Sequence, residues 1–186
     1  MKLAVGLGNI GDRYADTYHN IGFIALDRLA ERFAAPPFRQ KDNALISDVT
    51  VGGEKLMLAK PTTFMNLSGD AVSKLARYYK LEPKDIVVVY DDIDIHKGTV
   101  RARLSGSAGT HNGMRDIVSK LGSTAFPRVR IGTGIKPSFI DLVDYVLMHI
   151  TSVEKPKLVG ACDIACDYVE AWARGEPWQE LTRVVE

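Results

Sequence analysis

The run Ile86-Val87-Val88-Val89-Tyr90 constrains this chain more than any other segment. Consecutive β-branched residues followed by tyrosine leave no polar face, so a strand built from them is covered on both sides. Such strands belong to the middle of parallel sheets whose helices lie above and below. The run stops at Asp91-Asp92, which places two carboxylates where the strand leaves the core.

The rest of the chain reads consistently with that frame. Lys2 to Leu7 is a short buried strand ending in a glycine turn. Ile21, Ile24, Ala25, Leu29 and Phe33 recur near a 3.6 period and predict a helix, stopped by Ala35-Pro36-Pro37. Ala44–Val51 and Lys55–Ala59 are two strand-like runs joined by Gly52-Gly53, a hairpin signal. A helix is expected over Gly69–Lys80 with Ser68 as its N-cap, and another over Asn112–Leu121. Thr99–Leu104 alternates, with Val100, Ala102 and Leu104 on one face and Arg101 and Arg103 on the other. Val129–Ile131 adds a strand. Helices are expected over Phe139–Met148 and Val153–Trp172, capped by Ser138 and Ser152, and Gly175-Glu176-Pro177 then introduces a short tail. No internal repeat, low-complexity tract or linker interrupts the 186 residues. Strands alternating with helices imply an α/β fold: one domain over residues 1–186, with a twisted mixed β-sheet flanked by helices on both faces.

Apolar stretches are too short and too broken by Gly6, Gly8 and Asn9 for a leader or a membrane span, so a cytoplasmic protein is expected. Cys162 and Cys166, four apart in a helical pattern, read as small buried side chains rather than a redox or metal pair. Net charge is only +1, but it is unevenly spread. Between Lys97 and Lys136 stand Lys97, Arg101, Arg103, Arg115, Lys120, Arg128, Arg130 and Lys136, against Asp116 alone. From Phe139 onward acidic residues outnumber basic ones. That asymmetry suits one polyanion-facing surface.

The chemistry-bearing residues cluster in glycine-bordered, polar segments. His19-Asn20-Ile21-Gly22 and His111-Asn112-Gly113 each pair a proton acceptor with an amide that both donates and accepts hydrogen bonds. Asn9 lies in the first glycine turn, and Asn66 follows Met65. Open α/β sheets bind ligands beyond the carboxyl ends of their strands, where Asn9 and Asp91 both fall. Asp91 beside His19 would fix the ring's tautomer and stabilise the imidazolium, which favours general-base activation of water. Gly6-Leu7-Gly8-Asn9-Ile10-Gly11 also fits a dinucleotide fingerprint. Against that reading, Asp12 to His19 intervene before the helix, and Glu31 falls within a helix rather than at the end of a second strand. Ser107 lacks the spacing of a nucleophile elbow.

Five blocks stand out together: Gly6-Leu7-Gly8-Asn9-x-Gly11 with Tyr14, Thr17, His19, Asn20 and Gly22; Lys60 through Gly69; Asp91-Asp92-Ile93-Asp94; Gly106-Ser107-Ala108-Gly109-x-His111-Asn112-Gly113; and Phe126 through Gly132. Taken together they resemble the bacterial peptidyl-tRNA hydrolase family. They keep the family's order and spacing from the first strand to about Gly134.

The resemblance implies hydrolysis of the ester joining a peptide to the 3′-terminal ribose of tRNA, on chains that dropped off the ribosome. It implies His19 as catalytic base, Asp91 as its orienting partner and Asn112 as the residue that orients the water. Asn9 and Asn66 would hold the peptide and polarise the ester carbonyl, Met65 and Tyr14 would line the cleft, and His111 would support it. Arg103 and Arg130 match the basic pair that holds the tRNA's 5′ phosphate. No metal or organic cofactor is implied; the partner is the acceptor end of peptidyl-tRNA, met by a monomer with no membrane attachment. Three positions depart from the family pattern: Ile10 replaces a usual proline, Tyr18 a usual arginine and Thr110 a usual glycine. A non-catalytic RNA-binding relative is the alternative, but such a protein would not need His19, Asp91 and Asn112 together.

Overall fold

The computed structural model describes residues 1–177 and 181–186. Its strands are β1 (Lys2–Gly6), β2 (Arg39–Lys41), β3 (Ala44–Val51), β4 (Glu54–Pro61), β5 (Ile86–Asp92), β6 (Thr99–Arg103), β7 (Arg128–Gly132) and β8 (Thr182–Val184). Its helices are α1 (Ile21–Arg32), α2 (Ser68–Tyr79), α3 (Asn112–Leu121), α4 (Leu142–Val146) and α5 (Lys155–Ala173). All eight strands join one mixed sheet in the order β2-β3-β4-β1-β5-β7-β6-β8. β4, β1, β5 and β7 run parallel at its centre, and β3 and β6 pair antiparallel on either side.

β5 is covered on both faces as its composition demands. Val87 and Val89 pack with Leu26 and Leu29 of α1 and Cys162 and Val169 of α5. Ile86, Val88 and Tyr90 pack on the other side with Val72 and Leu75 of α2 and Met114 and Ile117 of α3. Each fully buried side chain of this kind contributes about 1.5–3 kcal/mol. The cysteines sit inside the first of these layers and are free; burial pushes the Cys166 thiol up to about 12, which leaves no thiolate for redox chemistry.

Several expectations need correction. Residues 39–41 and 182–184 are edge strands rather than connection and tail. The expected 139–148 helix contracts to α4, whose N-cap is Asp141 and not Ser138. α5 begins at Lys155 with Glu154 as N-cap instead of Ser152. The Glu154 side chain makes no cap bond to the helix; it accepts from the Thr151 N–H (3.0 Å) and hydroxyl (2.7 Å), and the Thr151 hydroxyl accepts from the Glu154 N–H (3.3 Å), a reciprocal pair that ties the entry to α5. Ser68 is the first residue of α2 and not its cap: its buried hydroxyl donates to the Met65 carbonyl at 2.7 Å. Leu104 is 47% exposed, so the inward face of β6 is Val100 and Ala102 only.

α1 reaches the sheet at Gly22. A Cβ there would lie 2.4 Å from the Val89 carbonyl oxygen and 2.5 Å from the Leu7 nitrogen, both backbone atoms. This close approach sets the segment carrying His19 against the ends of β1 and β5. Gly22→Ala is expected to destabilise the fold by about 1–3 kcal/mol, the ordinary cost of overpacking. A urea midpoint equal to that of the native chain would contradict this packing.

Candidate active site

Three segments converge beyond the carboxyl ends of β1, β4 and β5. Asn9 follows β1 and is pinned on three sides. Its N–H donates to Asn20 Oδ1, its carbonyl accepts from Asn20 Nδ2, and its Oδ1 accepts from the Met65 N–H, all at 2.8 Å. The last bond fixes the amide's orientation and leaves its NH2 for the cleft that Asn9 lines. Phe64 makes the bond to Met65 possible by adopting φ 62°, ψ 159°. That conformation costs a non-glycine residue about 1–3 kcal/mol and is found where geometry is functional. Asn20, read from the sequence as half of a reactive pair, is the clasp that holds Asn9.

Asp91, next to last in β5, is buried and serves two histidines. His19 Nδ1 lies 3.0 Å from each of its oxygens, and His111 Nε2 lies 2.9 Å from Oδ1. His111 Nδ1 accepts from the Met114 N–H at 3.2 Å, so this ring caps α3 and carries its hydrogen on Nε2, toward Asp91. Two donors on one carboxylate leave His19 donating through Nδ1, and its Nε2 lone pair is the one available for a proton. Burial disfavours charge on Asp91, but the fields and hydrogen bonds of the two histidines outweigh it and hold the carboxyl far below its usual range. Burial also opposes protonation of His19, yet Asp91 wins and its pKa is raised.

The nitrogen and oxygen atoms of His19, Asp91 and His111 lie within 4.8 Å of one another, a spacing that metals use. The hydrogen-bond pattern decides against a ligand role for His111. A metal on Nε2 would move the ring hydrogen to Nδ1 and make it a donor, facing the Met114 N–H, which is a donor too. The residues present make a hydrogen-bonded relay and do not fit a metal.

The cleft has a volume of about 470 Å³. Asn9, His19, Met65, Asn66, Asp91, His111 and Asn112 line it together with Arg103 and Arg130. Asn66 and Asn112 are exposed in it, Asn112 as the first residue of α3. Tyr14 is the expected member that the cleft does not include; it packs edge-on against Phe64, ring centroids 6.5 Å apart. Sequence reasoning missed Asp92, Arg128 and the apolar wall of Leu142, Val143, Val146 and Leu147 from α4 and its end. The short amphipathic pattern of α4 was the available signal for that wall.

The strands bring several of these arginines together, with part of their charge compensated. Cross-strand register sets Arg101 opposite Arg130 and Arg103 opposite Arg128. Arg130 Nε donates to Asp92 Oδ2 at 2.6 Å, while among the described residues Arg103 donates to the carbonyls of Ala102 (2.7 Å) and Leu181 (3.3 Å). Of the two expected phosphate contacts, Arg103 therefore carries the less neutralised charge. Among the departures from the family pattern, Ile10 is exposed and Thr110 has ordinary backbone angles, the left-handed φ falling on Gly109. Tyr18 is buried, with its hydroxyl donating to Glu154 Oε1 at 2.7 Å. The dinucleotide reading fails because α1 opens only at Ile21, ten residues beyond Gly11.

A profile of the peptidyl-tRNA hydrolase family matches residues 3–185. The peptidyl-tRNA hydrolase of Alkaliphilus metalliredigens (strain QYMF) is 46% identical over 171 residues, covering 92% of each chain. That of Chloroflexus aurantiacus (strain ATCC 29366 / DSM 635 / J-10-fl) is 47% identical over 175 residues, 94% of this chain and 93% of the relative. The crystal structure of peptidyl-tRNA hydrolase from Acinetobacter baumannii superposes with a TM-score of 0.87 at 33% identity, covering 94% of this chain and 89% of that one. The chain belongs to the peptidyl-tRNA hydrolase family.

Proposed function

We propose that this chain hydrolyses the ester between a peptide and the 3′-terminal ribose of tRNA, with His19 as general base. The observation that carries the reading is the His19–Asp91–His111 relay, whose geometry makes His19 Nε2 the acceptor at a cleft lined by Asn9, Asn66 and Asn112. Water held by Asn112 attacks the ester carbonyl carbon while His19 Nε2 takes its proton. The NH2 of Asn9 and the amide of Asn66 donate to the oxyanion that forms. Asp91 holds the imidazolium by the bond at Nδ1. Collapse of the tetrahedral intermediate breaks the bond to O3′, which recovers the proton from His19. A peptide carboxylate and a tRNA with a free 3′-hydroxyl result. Met65 and the α4 wall offer the peptide apolar contact, and Tyr14 braces the Phe64–Met65 turn.

Arg103 and Arg130 receive the tRNA's 5′ phosphate. Every group in this scheme comes from one chain, so the reaction needs no second copy. Among the described residues no helix is long and apolar enough to cross a membrane, and a substrate shed by ribosomes puts the reaction in the cytoplasm.

The test is release of labelled peptide from an N-blocked peptidyl-tRNA in EDTA. Release supports the scheme; tight tRNA binding with no release turns the reading to an RNA-binding protein without chemistry. In the same system Arg103→Ala is expected to weaken tRNA binding and flatten its salt dependence by about one charge unit. Arg130→Ala is expected to flatten it less, because Asp92 already offsets that arginine. Equal, unchanged salt slopes would place both arginines away from the RNA.

A further inference from the structure

We infer that Arg128 is a positioning residue that sets Asn112 by bracing the two loops on either side of α3. Arg128 is 1% exposed, and its side chain donates chiefly to backbone oxygens, with the Tyr90 hydroxyl beside it. Nη1 donates to the carbonyls of Gly106 (2.6 Å) and Ser107 (3.1 Å), which lie in the loop entering α3. Nη2 donates to those of Thr124 (2.8 Å) and Phe126 (3.3 Å), which lie in the loop leaving it, and Nε donates to Phe126 as well. The guanidinium also lies over the Phe126 ring, 4.4 Å from its centroid. Among the described residues no carboxylate pairs with it, although burial pulls its pKa down.

A buried, unneutralised guanidinium is costly, so stability alone would favour an apolar side chain at that place. What an apolar side chain cannot do is hold two separate loops in register with a planar fork of donors. The Gly106–Gly109 loop needs such an anchor. Gly106 and Gly109 have φ of 153° and 57°, and among the described residues the loop's other ties are the Gly106 N–H to Thr124 (3.3 Å), the His111 N–H to Ala108 (3.3 Å) and Arg115 Nε to Gly109 (2.9 Å). Directly after this loop come His111, which caps α3, and Asn112, its first residue. His111 has its own bond to Asp91, whereas no hydrogen bond holds the Asn112 side chain among the described residues. The placement of Asn112 in the cleft thus depends on the loop and on the seat of α3, and Arg128 grips both sides of that helix. Arg128 lines the cleft but is buried, and its donors already point at carbonyls, so its action on the substrate runs through Asn112.

The inference rests on the water-orienting role given to Asn112 above. It is tested with a double-mutant cycle on peptidyl-tRNA hydrolysis: Arg128→Met, Asn112→Ala and the pair. Arg128→Met is expected to lower kcat by about 100-fold, the scale of a small misplacement in a catalytic constellation. KM is expected to change less than about threefold, and the acid limb of the pH profile, which belongs to His19, to stay in place. The double variant should fall within about threefold of Asn112→Ala alone, since both changes remove the same contribution. Should Arg128→Met fail to fold, Arg128→Lys takes its place. One ammonium cannot grip both loops, so the lysine variant is expected to fold and to lose at least tenfold in kcat with the same coupling to Asn112. Losses that multiply in the double variant overturn this inference and leave Asn112 in its role. A raised KM with normal kcat also overturns it, in favour of a direct phosphate contact. Normal kcat in Asn112→Ala removes the role of Asn112 and this inference with it.

Discussion

His19→Ala is expected to slow peptide release by about 10³- to 10⁴-fold, the scale of a lost, well-placed general base. The residue supplies the proton acceptor of the proposed reaction; Asn9, Asn66 and Asn112 remain to bind and polarise, so a residual rate above that in water should survive. Alanine also strips Asp91 of one of its two donors, and a buried carboxylate left short of a partner costs about 1–3 kcal/mol. His19→Asn separates the two effects. Its amide can still donate to Asp91 but takes up no proton, so the same loss of rate with a smaller loss of stability is expected. Either variant retaining a tenth of the native rate would remove His19 as base.

The pH dependence follows from the same pair. Asp91 raises the pKa of His19 above the usual 6.5, so activity is expected to fall on acidification with a midpoint above that value. Stability runs the other way. A histidine whose pKa is raised by folding contributes stability fully present below its unfolded pKa and lost as pH rises through the folded one. The enzyme therefore works in the range where the His19–Asp91 attraction has ceased to stabilise it. Asp91, depressed by folding, contributes stability present above its unfolded pKa and lost only as pH falls through the folded one.

The centre of the sheet and the chemistry at its edge were legible in the sequence for one reason: both break a pattern. The β5 run has no polar face until it meets Asp91, and Asn9, His19 and Asn112 are polar residues in glycine-bordered segments where an apolar period stops. Elements without such a contrast were invisible. Arg39-Gln40-Lys41 and Thr182-Arg183-Val184 are mostly exposed edge strands, strands only through the hydrogen bonds of β3 and β6. Ser138 and Ser152 looked like caps, but α4 and α5 begin later, at Leu142 and Lys155, and at α5 the reciprocal Thr151–Glu154 pair stands where the serine was expected to act. Charge counting along the chain credited Arg130 in full because Asp92 lies 38 positions away; strand pairing brings them together. Arg128 was counted as surface charge for the same reason, since nothing linear reveals that four carbonyls surround it.

Asp91→Asn is the sharper test of the relay, because it changes few atoms and is expected to cost about as much as losing His19. An asparagine offers one oxygen acceptor and one NH2 donor where the aspartate offers two acceptors. Two ring N–H groups now compete for that oxygen. His111 has no alternative tautomer, since the Met114 N–H occupies its Nδ1, so His111 Nε2–H takes the oxygen. His19 then faces the new NH2 and turns its Nδ1 into an acceptor, which moves its hydrogen to Nε2, the atom that must receive the proton from water. The base is present but in the wrong tautomer, a change that costs about 10⁴-fold in a serine-protease triad. The imidazolium also loses its counter-charge, so the pKa of His19 falls and the acid limb of the profile moves to lower pH. The expected result is therefore a folded protein with normal tRNA binding, a rate down by about 10³- to 10⁴-fold, and an acid limb displaced downward. A double variant, Asp91→Asn with His111→Gln, frees the oxygen dilemma by giving residue 111 a reversible amide, and is expected to recover part of the lost rate. An Asp91→Asn enzyme with near-native turnover would mean that His19 keeps its tautomer without the carboxylate, and that the relay seen between β5, α3 and the His19 turn is structural only.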